Sequence, residues 1–106
     1  MALKRSAVGC AGMLALLYAA AAGAQTISRG EVIATTCYTC HGTHGISPST
    51  IPSIDYIPAV RIIEILKAYK TGTRYSTVMG RHASAYTDEE IAEAANYLAG
   101  LQKKGE

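Results

Sequence analysis

The sequence predicts an all-α domain, and three observations carry that prediction. Helix-start signatures stand near both ends of the working chain, at Ser28-Arg29-Gly30-Glu31 and Thr87-Asp88-Glu89-Glu90. Between them, Ile62, Ile65, Leu66 and Tyr69 recur at three- and four-residue steps, which is the helical period. No segment alternates apolar and polar residues as a half-buried strand would.

The first 24 residues read as a secretory signal. Lys4 and Arg5 form the positive start, Val8 to Ala22 is almost wholly apolar, and Ala22-Gly23-Ala24 supplies small residues for cleavage. The apolar run is short for a membrane span. Cleavage after Ala24 leaves one domain, residues 25–106, with no span of its own and a periplasmic address. Cys10 leaves with the signal, and because the apolar run follows it rather than precedes it, it does not read as a lipid-bearing cysteine.

The first helix of the domain begins at Ser28, with Glu31 placed to reach back to the cap, and carries Val32, Ile33 and Thr36 on one side. Gly42 to Ile57 holds Gly42, Gly45, Pro48 and Pro52 and reads as loop. Pro58 suits the first turn of a second helix, Ala59 to about Lys70, which Gly72 ends as a left-handed cap. A loop follows through Met79 and Gly80 to Tyr86. The last helix starts at Thr87, with acids at its positive end, buries Ile91, Ala94, Ala95 and Leu98, and stops at Gly100.

Chemistry concentrates in Cys37-Tyr38-Thr39-Cys40-His41, the spacing at which a c-type haem is attached. Each thiol can add across one haem vinyl group, which holds the following imidazole beneath the iron as proximal ligand. A zinc half-site would need further ligands, and the chain after the signal has no other cysteine. A thioredoxin-like dithiol would follow a strand, and none precedes this motif. Both free cysteines are thus taken up by one covalent haem.

The sixth iron ligand falls to Met79, the one methionine after the signal, 38 residues past His41 and beyond a helix. Its thioether is soft, favours reduced iron and raises the potential of a His-ligated haem; the plainer reading is a gap-filling core residue. His44 lies too close to His41 in sequence to reach the opposite face. His82 is the competitor for the sixth position and otherwise a rim residue. Pro52 has no N–H, but its carbonyl is placed to accept the Nδ1 proton of His41, against the alternative of an ordinary loop proline. Tyr69 reads either as a hydrogen-bond donor near the Met79 sulfur or a propionate, or as core. Arg74 and Arg81 flank the ligand segment and suit propionates, a partner, or solvent.

About 80 residues without a single Phe or Trp make a thin core, so the porphyrin is expected to complete it. Eight Lys and Arg balance eight Asp and Glu after Ala24, which excludes the basic surface that nucleic-acid binding needs. An open haem enzyme or gas-binding site would require acid–base groups over the iron, and only His82 is on offer.

Cys37 to His41, Pro52-x-Ile54, a mid-chain helix and a late Met79 before a C-terminal helix together resemble the class I cytochrome c fold. That resemblance implies three main helices around one haem, with Gly30 and Ile33 of the first helix crossing Tyr97 and Leu98 of the last. A narrower likeness rests on Cys40-His41-Gly42-Thr43-His44-Gly45, Tyr69-Lys70-x-Gly72 and Thr77-Val78-Met79-Gly80-Arg81 followed by Tyr86-Thr87. This is similar to the haem subunit of flavocytochrome c sulfide dehydrogenases, in a one-haem form. It implies an electron-transfer subunit, not an enzyme by itself. Its partners would be an FAD-containing sulfide dehydrogenase flavoprotein subunit, as a heterodimer, and a soluble acceptor such as another cytochrome c. The small residues of Val78 to Ala85, Ala83 and Ala85 among them, read as the docking face or as a tight fold around Met79. A free-standing periplasmic electron shuttle is the alternative.

Overall fold

A computed structural model describes residues 25–104; the expected signal segment, residues 1–24, lies outside them. Helix α1 spans Arg29–His41, and the Ser28 hydroxyl accepts the Glu31 N–H at 3.1 Å; the expected return bond from the Glu31 side chain to the cap does not form among the described residues. It stops at Gly42, whose φ of 83° turns the chain sharply. A side chain there would collide with the Ile46 carbonyl, so the turn demands glycine. A short 3-10 turn, Thr43–Gly45, follows.

Helix α2 spans Ala59–Thr71, starts from Pro58 and ends at Gly72 in the left-handed conformation, φ 76° and ψ 5°. The expected loop over Met79 is instead a helix, α3, Met79–Ser84. Two hydroxyls make it possible: Ser76 Oγ accepts the Gly80 N–H at 2.8 Å, and Ser84 Oγ donates to the Gly80 carbonyl at 2.7 Å. Six residues are too few to show a period, and Gly80 reads as a breaker, so the sequence conceals this helix.

Helix α4 spans Asp88–Gln102 and opens with the full reciprocal capping box between Thr87 and Glu90. It runs through Gly100 rather than stopping there. Leu101 and Gln102 are half-buried, and the Gln102 side chain donates to the Ile57 carbonyl at 3.0 Å, which anchors the extra turn.

Helices α1 and α4 pack across each other. At the crossing Gly30 meets the backbone of Glu93 and Ala94, where an added Cβ would lie 2.7 Å from the Glu93 carbonyl carbon. Below it, Ala34, Ala95, Leu98 and Ile62 of α2 form the shared core, with Tyr38, Ile54, Leu66 and Tyr97 packed against it. Val32 does not share that face; it is 54% exposed, while Gly30, Ile33 and Ala34 are buried. Four of the eight buried apolar side chains are alanines, and Ile91 is the one large side chain below 2% exposure among the described residues. No strand forms among the described residues, and none of their helices is long and apolar enough to cross a membrane.

Candidate metal centre

Residues three and four apart share a helix face, so the last turn and a half of α1 presents Cys37, Cys40 and His41 together. Cys37 is half-buried and Cys40 exposed, and both are free thiols. The Cys37 thiol lies 3.6 Å from the Ile33 carbonyl, and burial pushes its pKa up. That direction disfavours the redox-dithiol reading, which needs a thiol pushed down toward neutrality. Among the described residues no other His, Cys, Asp or Glu gathers to complete a zinc site. Cys40 opens on a shallow hollow of about 500 Å³ lined also by Tyr38, Ile46, Pro48 and Ile51. Neither His41 nor Met79 lines that hollow.

His41 is half-buried, and its Nδ1 lies 2.6 Å from the Pro52 carbonyl oxygen. A carbonyl can only accept, so Nδ1 carries a proton, which leaves Nε2 as the nitrogen that could bind a metal. The loop that brings Pro52 there is itself fixed. The buried Gly45 carbonyl accepts the N–H groups of Ile54 at 2.8 Å and Asp55 at 3.2 Å, and the Ser53 hydroxyl accepts the Ser47 N–H at 2.9 Å. Gly45 has φ 80°, and an added Cβ would lie 2.8 Å from the Ile54 side chain. Two thiols on one helix face, beside an imidazole whose Nδ1 is held by a carbonyl, are the donors that a haem held through two thioethers requires.

Met79 heads α3 and is half-buried. Its neighbour Gly80 approaches α2 closely, since an added Cβ would lie 3.3 Å from the Tyr69 carbonyl. Tyr69 is therefore beside the Met79 segment through its backbone, and its ring is covered by the Arg74 guanidinium at 5.2 Å from the centroid. Arg74, Arg81 and His82 are exposed. His44 is also exposed, with φ 56° and its ring nearly perpendicular to that of Tyr38, the two centroids 5.8 Å apart.

Ala83 corrects the reading of this segment as a docking face of small residues. It is 2% exposed and packs inward, so it is small because α3 lies close to the core; Ala85 alone of the two is exposed. Sequence reasoning also missed what holds α3 in place. The Tyr86 hydroxyl lies 3.2 Å from Thr36 Oγ1 on α1, and Lys70 Nζ donates to the Tyr86 carbonyl at 2.8 Å and to Asp88 at 3.1 Å. These partners are up to 50 residues apart, and no local pattern announces them. Tyr38, between the cysteines, turns its ring into the α1–α4 core, and its buried hydroxyl has no hydrogen-bond partner among the described residues.

The family model described as Cytochrome c matches residues 27–102, which include all four helices. The cytochrome subunit of sulfide dehydrogenase from Chlorobaculum tepidum (strain ATCC 49652 / DSM 12025 / NBRC 103806 / TLS) is 52% identical over 80 residues. The match covers 74% of this chain and 72% of that relative.

Proposed function

Because the chain belongs to the cytochrome c family, we propose that it is a periplasmic one-haem electron-transfer subunit, with His41 and Met79 as axial ligands and Cys37 and Cys40 as the thioether anchors. Its cofactor is covalent haem c, which supplies a one-electron ferric–ferrous couple when bound. The signal segment, residues 1–24, is removed on export to leave the domain of residues 25–106.

The observation that carries the reading is the 2.6 Å contact between His41 Nδ1 and the Pro52 carbonyl. It holds the proton on the far nitrogen, orients the ring and strengthens Nε2 as a donor. Met79 contributes a neutral, soft thioether that favours the reduced metal and raises the potential. The chain contributes no acid–base group to a reaction; it anchors, orients and tunes.

Electrons come from a sulfide-oxidising, FAD-containing flavoprotein held as a heterodimer partner and leave to a soluble carrier. This half of the proposal is supported by the likeness to a sulfide dehydrogenase subunit. The exposed part of the ligand segment, with Val78, Arg81 and Ala85, is the face offered to the partner.

Expression with haem attachment, followed by spectroscopy and co-purification, tests both halves. The ferric protein should show the weak far-red band of sulfur-to-iron charge transfer, and Met79→Ala should lose it while keeping the covalent haem. A wild type without the band removes Met79 from the iron. The protein from its own host should carry flavin absorbance, and sulfide should reduce its haem. Ala85→Glu should weaken flavin retention with the haem spectrum unchanged. Recovery of the cytochrome with no flavoprotein would favour the free periplasmic shuttle.

A further inference from the structure

Ligation by Met79, on which this inference rests, depends on what holds a six-residue helix that is too short to persist alone. The Ser76 and Ser84 hydrogen bonds close α3 upon itself and would travel with it. Against α2, Gly80 lies over the Tyr69 carbonyl and Ala83 is buried. Against α1, the helix that carries Cys37, Cys40 and His41, the tie is Tyr86, two residues beyond the end of α3.

Tyr86 is held at both ends. Its carbonyl accepts from Lys70 Nζ of α2 at 2.8 Å, and its hydroxyl lies 3.2 Å from Thr36 Oγ1, next to Cys37. The Thr36 hydroxyl donates its proton to the Ile33 carbonyl at 2.7 Å. Tyr86 must therefore be the donor of the bond between them. Among the described residues no other hydrogen bond or ion pair joins residues 76–86 to α1.

We infer that Tyr86 is a positioning residue for the axial sulfur: its hydroxyl fixes the ligand helix against the cysteine-bearing helix and sets how readily Met79 is displaced. Movement of α3 away from α1 separates Tyr86 from Thr36. Deleting that bond raises the population of the displaced form. An added ligand that competes for the sixth position then binds in proportion to that population.

Imidazole titration of the ferric holoprotein, read by loss of the far-red band, measures this directly. Tyr86→Phe keeps the ring, and Thr36→Val keeps the branched shape. Each should tighten apparent imidazole binding about fivefold, the effect of one hydrogen bond. The double variant should go no further than either single one, because both remove the same bond. Should Tyr86→Phe fail to accumulate, Thr36→Val carries the same test from the other side of the bond. A purely structural role would lower the thermal midpoint and leave imidazole affinity unchanged. That result, or additive effects in the double variant, overturns the inference. A wild type with no far-red band, and imidazole affinity unmoved by Met79→Ala, instead overturns the ligand assignment itself.

Discussion

Gly30 and Gly100 stand in helices α1 and α4 and predict opposite responses to the same substitution. At Gly30 an added methyl would strike the Glu93 carbonyl, and both groups belong to backbone that cannot give way independently. Gly30→Ala should destabilise the holoprotein by about 1–3 kcal/mol, the usual cost of overpacking. At Gly100 nothing lies within 4 Å of an added Cβ. Gly100→Ala should add up to about 1 kcal/mol, because alanine loses less backbone entropy in a helix. Guanidinium unfolding of the two variants beside the wild type checks both signs; a Gly30→Ala protein as stable as its parent would refute the close crossing of α1 and α4.

Among elements, the start of α4 is where charge is concentrated. Asp88 is held below its ordinary value of 3.8 first by the hydrogen bond from Lys67, then by that from Lys70. Glu90 is held below 4.5 first by the Thr87 backbone N–H, with Arg29 of α1 adding to it. Both are depressed in the folded protein, so the unfolded chain binds more protons as acid is added. Their stabilisation is complete above the ordinary carboxylate values and is lost as pH falls below them. The thermal midpoint, followed by helix circular dichroism from about pH 6 down to about pH 3, should therefore fall. Asp88→Asn should start lower at neutral pH and fall less. An Asp88→Asn profile parallel to the wild type would show that Lys67 and Lys70 do not stabilise α4 through this carboxylate. Thr87→Ala should cost about 1 kcal/mol at any pH, since it removes the cap itself.

On the scale of the whole molecule, the chain supplies little apolar bulk. The buried set among the described residues is half alanine, and Tyr38, Ile54, Leu66 and Tyr97 are only partly covered. Ordering each residue costs roughly 1.5 kcal/mol, and a core of this size does not offset that. The prediction is that Cys37→Ala with Cys40→Ala, made without haem attachment, unfolds without a cooperative transition. A sharp calorimetric peak in that apoprotein would show that the polypeptide alone suffices.

Local chemistry made most of the architecture and the donor set legible. Ser28, Thr87 and Gly72 mark helix ends because capping and left-handed turns are satisfied within a few residues of chain. The Cys37–His41 spacing points to its chemistry because a helix turn places those three side chains on one face. The sequence by itself therefore determined the all-α class, the three longer helices, the haem motif and the family. Only the tertiary structure decided that the Met79 segment is helical, that Ala83 faces inward and that α4 continues past Gly100. It also decided that Tyr86 ties the end of the Met79 segment to Thr36. Each of these depends on partners brought together by the α1–α4 crossing and the packing of α2 against α3. Contacts between residues tens of positions apart leave no period, cap or spacing in the chain that makes them.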